Sequence, residues 1–169
     1  MSGKNQRNGS SNRPRVLYLS HAPDNIYDVV RRMAGDEVEL VLMDSNDDMA
    51  RCAAIADCDA VIVASYRLSG QHLAAAKKLQ LVHHQGVGWH DTTDWQTIRD
   101  RDIKLAITLS GSTISVAEHT LMLMLAACRH LSHADAELRK GKWLVNALRT
   151  RSREIMGRTV GIIGMGRIG

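Results

Sequence analysis

The chain has 169 residues, 44% of them apolar and 24% charged, with 22 Lys and Arg against 18 Asp and Glu for a formal charge of +4. That length supports one full core or two partial ones, since single domains cluster near about 100–150 residues. The modest charge is not that of a nucleic-acid binder, the longest apolar run (Leu121 to Cys128) is far below the roughly 20 residues that span a bilayer, and three cysteines (Cys52, Cys58, Cys128) without CxxC spacing indicate a reducing, cytoplasmic setting.

Residues 1–14 (MSGKNQRNGSSNRP) are polar, carry no acid, and lack the apolar core of a signal peptide. They read as a disordered tail, because they bury too little apolar surface to offset their ordering entropy. Short β-like runs then alternate with helical stretches. Strands are expected at Val16–Ser20, Val38–Met43, Ala60–Ala64, Leu79–His83 and Lys104–Thr108. Helices are expected over Asn25–Met33, Asp48–Ala56, Gly70–Lys77 and Thr93–Arg101, with Asp24 and Asp47 as N-caps of the first two. Strands apolar on both faces and separated by helices argue for a parallel sheet covered on both sides. Right-handed crossovers make it an α/β, doubly wound, flavodoxin-like domain over residues 15–109.

The texture changes after Thr108. Ser110 to Thr113 is a polar turn, and Ser115 with Glu118 three residues on forms a capping-box pattern. The helix it opens runs to about His133 through LMLMLAAC, and a second helical stretch reaches Lys142. The first half is apolar nearly all round, so it is expected to be buried against another domain or subunit. Gly141 to Arg158 reads as a basic linker. Thr159 to Ile163 is a buried-strand pattern, followed directly by Gly164-Met165-Gly166-Arg167-Ile168-Gly169.

A GxGxxG alone is a weak signal, but it gains weight directly after an apolar strand. Gly164 would make the tight turn out of the strand, the bare backbone at Gly166 would let a pyrophosphate approach, and Gly169 would permit close helix–strand packing. The rival is a plain glycine-rich turn. Other sharp readings have bland competitors. His83 and His84 are consecutive on a strand and point to opposite faces, which favours ordinary strand histidines over a metal pair. Glu118 and His119 are adjacent on a helix and cannot serve each other as acid and base; Glu118 suits a capping or interdomain hydrogen bond better. His90 and Asp91 fit a surface turn or a substrate contact. Cys128, Met122 and Met124 read as buried or interface fillers. The stretch from Arg139 to Arg158 reads as a solvated face, with phosphate or nucleic acid as the alternative.

Four pieces in order carry a family resemblance: Gly86-Val87-Gly88 after a strand, Ser115-Val116-Ala117-Glu118-His119 on an apolar helix, Gly141-Lys142-Trp143 closing the next helical stretch, and Gly157 to Gly169. Over residues 15–169 the chain resembles the D-isomer-specific 2-hydroxyacid dehydrogenases, and its SVAEH segment also resembles NAD-dependent formate dehydrogenases. The resemblance implies a substrate domain at 15–109, lacking its C-terminal return segment. It implies that 110–169 is an interdomain helix with the first strand of a Rossmann NAD-binding domain, and that the active site lies in the cleft between the two domains. By that likeness the backbone amides of Val87 and Gly88 would hold a substrate carboxylate, with Ser112 also on the substrate. Val87 and Val116 would approach the nicotinamide. Gly164, Gly166, Arg167, Ile168 and Gly169 would meet the pyrophosphate of NAD, with NADP left open. A small 2-hydroxy or 2-oxo acid as substrate and a homodimer are implied as well.

Three departures matter. Trp89-His90-Asp91 after the GVG shifts the usual register of an Asp by about one residue. Ser112 stands where formate dehydrogenases carry Asn, which disfavours formate. The family's catalytic Arg, carboxylate and His have no counterpart here, so no catalytic residue is assigned and the 169 residues alone are expected to be inactive, as a piece of a parent about twice as long. Alternatives are a co-repressor-like scaffold that senses the dinucleotide, or a non-functional product.

Overall fold

The computed structural model describes residues 13–109 and 111–169. The expected disordered tail lies outside them except for Arg13 and Pro14. The chain divides into two compact units, Met1–Leu109 and Ser110–Gly169.

The first unit is an α/β sandwich built on a five-stranded parallel sheet. In chain order its elements are β1 (Arg15–Tyr18), α1 (Asp24–Ala34), β2 (Glu39–Leu42), α2 (Asp48–Ile55), β3 (Ala60–Val63), α3 (Gly70–Ala75), β4 (Leu81–His84), α4 (Trp95–Asp100) and β5 (Lys104–Ile107). The sheet order is β2-β1-β3-β4-β5, the flavodoxin-like order with a switch point between β1 and β3. Val16 pairs with Leu40 on one side and Ala60 on the other, and Val82 pairs with Val61 and Leu105. Leu17, Leu19, Ile55, Val61, Val63, Leu68, Leu73, Val82 and Ile98 are fully buried in one core. These residues come from strands and helices alike, which is what a sheet covered on both faces requires.

Local signals set most boundaries. Asp47 caps α2, its carboxylate accepting the Ala50 N–H at 2.7 Å, as expected for an N-cap. Asp24 does not cap α1. Pro23 takes that place, its carbonyl accepting Ile26 N–H, and Asp24 becomes the first helical residue. The fixed φ of proline at −67° and its extended ψ already stop the helix there. β4 begins two residues later than expected. Gln80 N–H and Leu81 N–H both reach Asp59 O, so Leu79 approaches the sheet before the ladder begins.

The second unit contains α5 (Thr113–Cys128), α6 (Leu131–Leu138) and α7 (Val145–Arg149). Three expectations are corrected here. First, α5 starts at Thr113 with Ser112 at the cap, so Ser115 and Glu118 lie inside the helix and form no capping box. Second, the helix does not run to His133. His130 adopts a left-handed conformation (φ 53°) and separates α5 from α6. The break is braced by Arg153 N–H on Cys128 O (2.9 Å) and by a contact of His130 Nε2 with Arg151 O (3.1 Å). The basic segment is thus folded back on the helix pair and contains α7, rather than being a plain linker. Third, Thr159–Ile163 forms no strand. A strand needs a partner ladder, and the described residues of this unit include none. No residue of α5 is buried: Leu121, Met122, Leu123 and Leu125 are about half exposed, and Cys128 is only half-buried. Among the described residues no helix is long and apolar enough to cross a membrane, and no His/Cys/Asp/Glu group could hold a metal ion.

Candidate active site

Parallel sheets of this order offer ligands the crevice beyond the carboxyl ends of their strands, at the switch point. In this chain that rim is made by the residues after β1, β3 and β4. The Ser20 hydroxyl after β1 accepts Tyr66 N–H at 3.2 Å and lies 3.4 Å from the Ser65 hydroxyl, which ties the exits of β1 and β3 together. Tyr27 of α1 closes the same corner. Its hydroxyl accepts Ala22 N–H at 3.0 Å and reaches the carbonyls of Ser20 and Met43.

After β4 come Gly86, Val87 and Gly88. His84 is buried beneath Gly86, and neither of its ring nitrogens has a hydrogen-bond partner among the described residues. A β-carbon at position 86 would sit 3.2 Å from His84 Cε1, so any side chain there needs this buried ring to give way by a few tenths of an ångström. Gln85 N–H is held by Val63 O, and Gly86 N–H by His84 O. Trp89 N–H bonds back to Val87 O at 3.1 Å. The amides between them, of Val87 and Gly88, have no acceptor among the described residues. Val87 is 57% exposed, and nothing stands within 4 Å of where a Gly88 side chain would begin. Two consecutive donors without acceptors among the described residues, on a loop held at Gln85, Gly86 and Trp89, are the arrangement from which main-chain anion sites are built.

The other candidates occupy distinct places. His83 contacts the Thr108 hydroxyl through Nε2 at 3.0 Å, on the opposite face of β4 from His84. His90 is exposed but stacked on Trp89 (3.7 Å between rings), which packs against Trp95 at 5.0 Å; Asp91 is exposed. In the second unit Ser112 and Val116 are exposed and one turn apart on α5, joined by Val116 N–H on Ser112 O at 2.9 Å. Gly164 has φ 93°, the left-handed region that favours glycine. A β-carbon at Gly169 would collide with the backbone of Gly164 and Met165, whereas Gly166 is open. The glycine turn therefore closes on itself and leaves its middle glycine accessible. Ile168 is half exposed.

Sequence reasoning missed a polar network on the β3 side of the rim. Arg51 of α2 is fully buried. Its guanidinium donates to Leu19 O (3.1 Å), Asn46 O (2.7 Å) and Asn46 Oδ1 (2.8 Å), lies 3.3 Å from Asp48 Oδ1, and stacks 3.5 Å from the Tyr66 ring centroid. The Tyr66 hydroxyl donates to Asp48 Oδ1 at 2.7 Å, and His72 Nε2 is 3.3 Å from the same oxygen. That hydrogen bond holds the Asp48 carboxyl below its ordinary range and pushes the Tyr66 phenol up. Arg67, the next residue, is exposed and has no ion-pair partner among the described residues. The switch-point rule, applied to the Ser65-Tyr66-Arg67 run behind the AVIV strand, marks its loop residues but not Arg51, Asp48 or His72.

Comparison with known proteins agrees with this geometry. The family model described as D-isomer specific 2-hydroxyacid dehydrogenase, catalytic domain, matches residues 16–162. The chain is 38% identical over 136 residues to D-3-phosphoglycerate dehydrogenase of Mycobacterium leprae, covering 80% of this chain and 25% of that protein. It is 36% identical over 116 residues to hydroxypyruvate reductase of Thermotoga maritima, covering 68% and 37%. Among solved structures it resembles NAD-dependent formate dehydrogenase from Staphylococcus aureus in complex with NAD (TM-score 0.73, 22% identity, 91% of this chain and 50% of that one), a likeness of fold. It also resembles NADPH-dependent glyoxylate/hydroxypyruvate reductase from Sinorhizobium meliloti in complex with NADP and malonate (TM-score 0.71, 28% identity, 94% and 48%). The chain thus spans about half the length of these structures and less of the curated relatives. With a parallel sheet in the 2-1-3-4-5 order, a glycine loop of open amides after β4 and the family model matching from Val16 to Ile162, the chain belongs to the D-isomer specific 2-hydroxyacid dehydrogenase family.

Proposed function

We propose that the protein carrying this chain is an oxidoreductase that transfers hydride between a nicotinamide cofactor, NAD(H) in the first instance, and a small 2-hydroxy or 2-oxo acid. One observation carries the reading: the two adjacent amides of Val87 and Gly88, without acceptors among the described residues, at the carboxyl rim of the sheet. They would hold the substrate carboxylate, and the exposed Arg67 would offer the same rim a cation for a further charged group. The residues toward the cofactor fit a dinucleotide: Gly166 is open, Gly164 holds a glycine-only turn, and Val116 presents an exposed apolar side chain. When bound, the cofactor supplies the hydride, while the protein's part is placement and electrostatics. Gly169 and the backbone of Arg167 and Ile168 would complete the pyrophosphate contact, with Ser112 near the substrate. Residues 15–109 would act as the substrate domain and 110–169 as the beginning of the cofactor domain.

A cytoplasmic location and a homodimer covering the apolar face of α5 belong to the same reading, as does inactivity of residues 1–169 by themselves, since the family's catalytic Arg, carboxylate and His have no counterpart in them. The test is NADH oxidation by the protein purified from its natural source, with glyoxylate, pyruvate and hydroxypyruvate offered in turn. Turnover of at least one is expected. Tight NADH binding without turnover of any 2-oxo acid would replace the enzyme reading by a dinucleotide-sensing scaffold.

A further inference from the structure

The network under Tyr66 does more than fill space. A fully buried guanidinium is costly unless its donors are satisfied, and four contacts with a stacked ring satisfy Arg51. Two of them reach the segment that leads to Arg67: the guanidinium stacks on Tyr66, and Asp48, which it contacts, accepts the Tyr66 hydroxyl. Tyr66 is fixed three ways: its N–H on Ser20 Oγ, its ring on Arg51 and its hydroxyl on Asp48. On the other side of Arg67, Leu68 is fully buried, its N–H on Thr92 O (2.8 Å) and its carbonyl accepting Asp94 N–H (3.1 Å). Ser69 N–H is then held by His72 Nδ1 at 3.2 Å. Arg67 is therefore an exposed side chain, without a partner among the described residues, on a backbone pinned at both neighbours.

We propose that Arg51 and Tyr66 form a positioning clamp that fixes the β3–α3 loop and holds Arg67 preset at the rim as an anion contact. The proposal rests on the reading that a 2-hydroxy acid binds at this rim. Presetting matters because a loop that keeps the competent arrangement only about a tenth of the time weakens apparent affinity about tenfold, and a pinned backbone avoids that loss. The planar fork of arginine is what allows simultaneous stacking and hydrogen bonding, which lysine cannot reproduce.

The test uses the 15N-labelled 169-residue chain and two probes: D-lactate, with one carboxylate, and tartronate, a 2-hydroxy acid with two. Backbone {1H}–15N NOE values are read at residues 65–69, and both affinities by titration. Tyr66→Leu removes the half-buried ring from the clamp, Arg51→Lys keeps the charge but loses the fork, and Tyr66→Phe keeps the stack. In Tyr66→Leu and Arg51→Lys the Arg67 amide is expected to lose order and tartronate to bind about tenfold more weakly, with D-lactate unchanged and Tyr66→Phe close to wild type. Unchanged order at Arg67 in both variants, or equal weakening of both acids, overturns the clamp. If wild type binds both acids equally, Arg67 is no anion contact and the proposal is overturned; if it binds neither acid yet the variants lose order at Arg67, the hold of Arg51 and Tyr66 on the loop stands and the substrate reading fails. If wild type prefers tartronate and the variants keep both order and preference, the clamp fails and the substrate reading stands.

Discussion

Replacing Tyr27 with Phe deletes one oxygen and nothing else. The ring keeps its edge contact with Tyr18 at 6.1 Å, and the side chain stays in a site only 6% exposed. The hydroxyl, however, is the sole acceptor of the half-buried Ala22 N–H among the described residues and the donor shared by the Ser20 and Met43 carbonyls. Phe takes this partner from one donor, Ala22 N–H, and from two carbonyl acceptors, of Ser20 and Met43, at the corner where β1, α1 and β2 meet. A buried polar group left unsatisfied costs about 1–3 kcal/mol. Because Ala22 is only half-buried, the lower part of that range, about 1–2 kcal/mol, is expected. For a unit of this size that corresponds to a fall in Tm of roughly 5–15 °C. Urea unfolding followed by circular dichroism gives the difference directly, with the m-value unchanged if only the native state is affected. A Tyr27→Phe protein within about 0.3 kcal/mol of wild type would mean that water replaces the hydroxyl freely, and the reasoning would be refuted.

Other outcomes follow from the same contacts. Leu73→Ala empties a fully buried site on α3 and is expected to cost roughly 2–5 kcal/mol, against less than about 0.5 kcal/mol for the exposed Met33→Ala; equal costs by urea unfolding would contradict the core assignment. Gly86→Ala forces a methyl against the His84 ring at 3.2 Å and is expected to cost about 1–3 kcal/mol, which a Tm equal to wild type would disprove. The Asp48 carboxyl is held low chiefly by the Tyr66 hydroxyl. Its contribution is therefore full above the unfolded carboxylate value of about 3.9 and is lost as pH falls through the lower folded-state value. Asp48→Asn is expected to lie below wild type in stability at neutral pH and to converge with it in acid; a gap independent of pH would contradict this.

Much of the first unit was legible because its strands are apolar on both faces and separated by clear helical stretches. Runs such as AVIV can only be satisfied in the middle of a covered sheet. The capping carboxylate of Asp47 was legible for the same local reason. Less legible were features that depend on competition between neighbours. Pro23 outranked Asp24 at the start of α1, and Ser112 outranked Ser115 at the start of α5, because several adjacent residues could each end the loop. The break at His130 has no Gly or Pro to announce it, and the chain bears a positive φ there against bonds from Arg151 and Arg153. The expected strand at Thr159–Ile163 was a correct reading of pattern but not of structure, since ladder bonds come from partner strands. At the candidate site, the GVG loop was legible as a motif and its Val87 and Gly88 amides through the family resemblance, while their lack of internal acceptors follows only from the fold. Arg51, Asp48, Tyr66, Arg67 and His72 are scattered over two helices and a loop, and only the fold brings them to one rim.

The central claim is that the Val87–Gly88 amides receive the carboxylate of a 2-hydroxy or 2-oxo acid. Its most direct test is a titration of the 15N-labelled chain with oxamate, an unreactive analogue of a 2-oxo acid, read at every backbone amide. Saturable shifts are expected, largest at Val87 and Gly88 and smaller at Gly86 and Arg67. Shifts absent from those two amides, or centred instead on the arginines between Arg139 and Arg158, would contradict it.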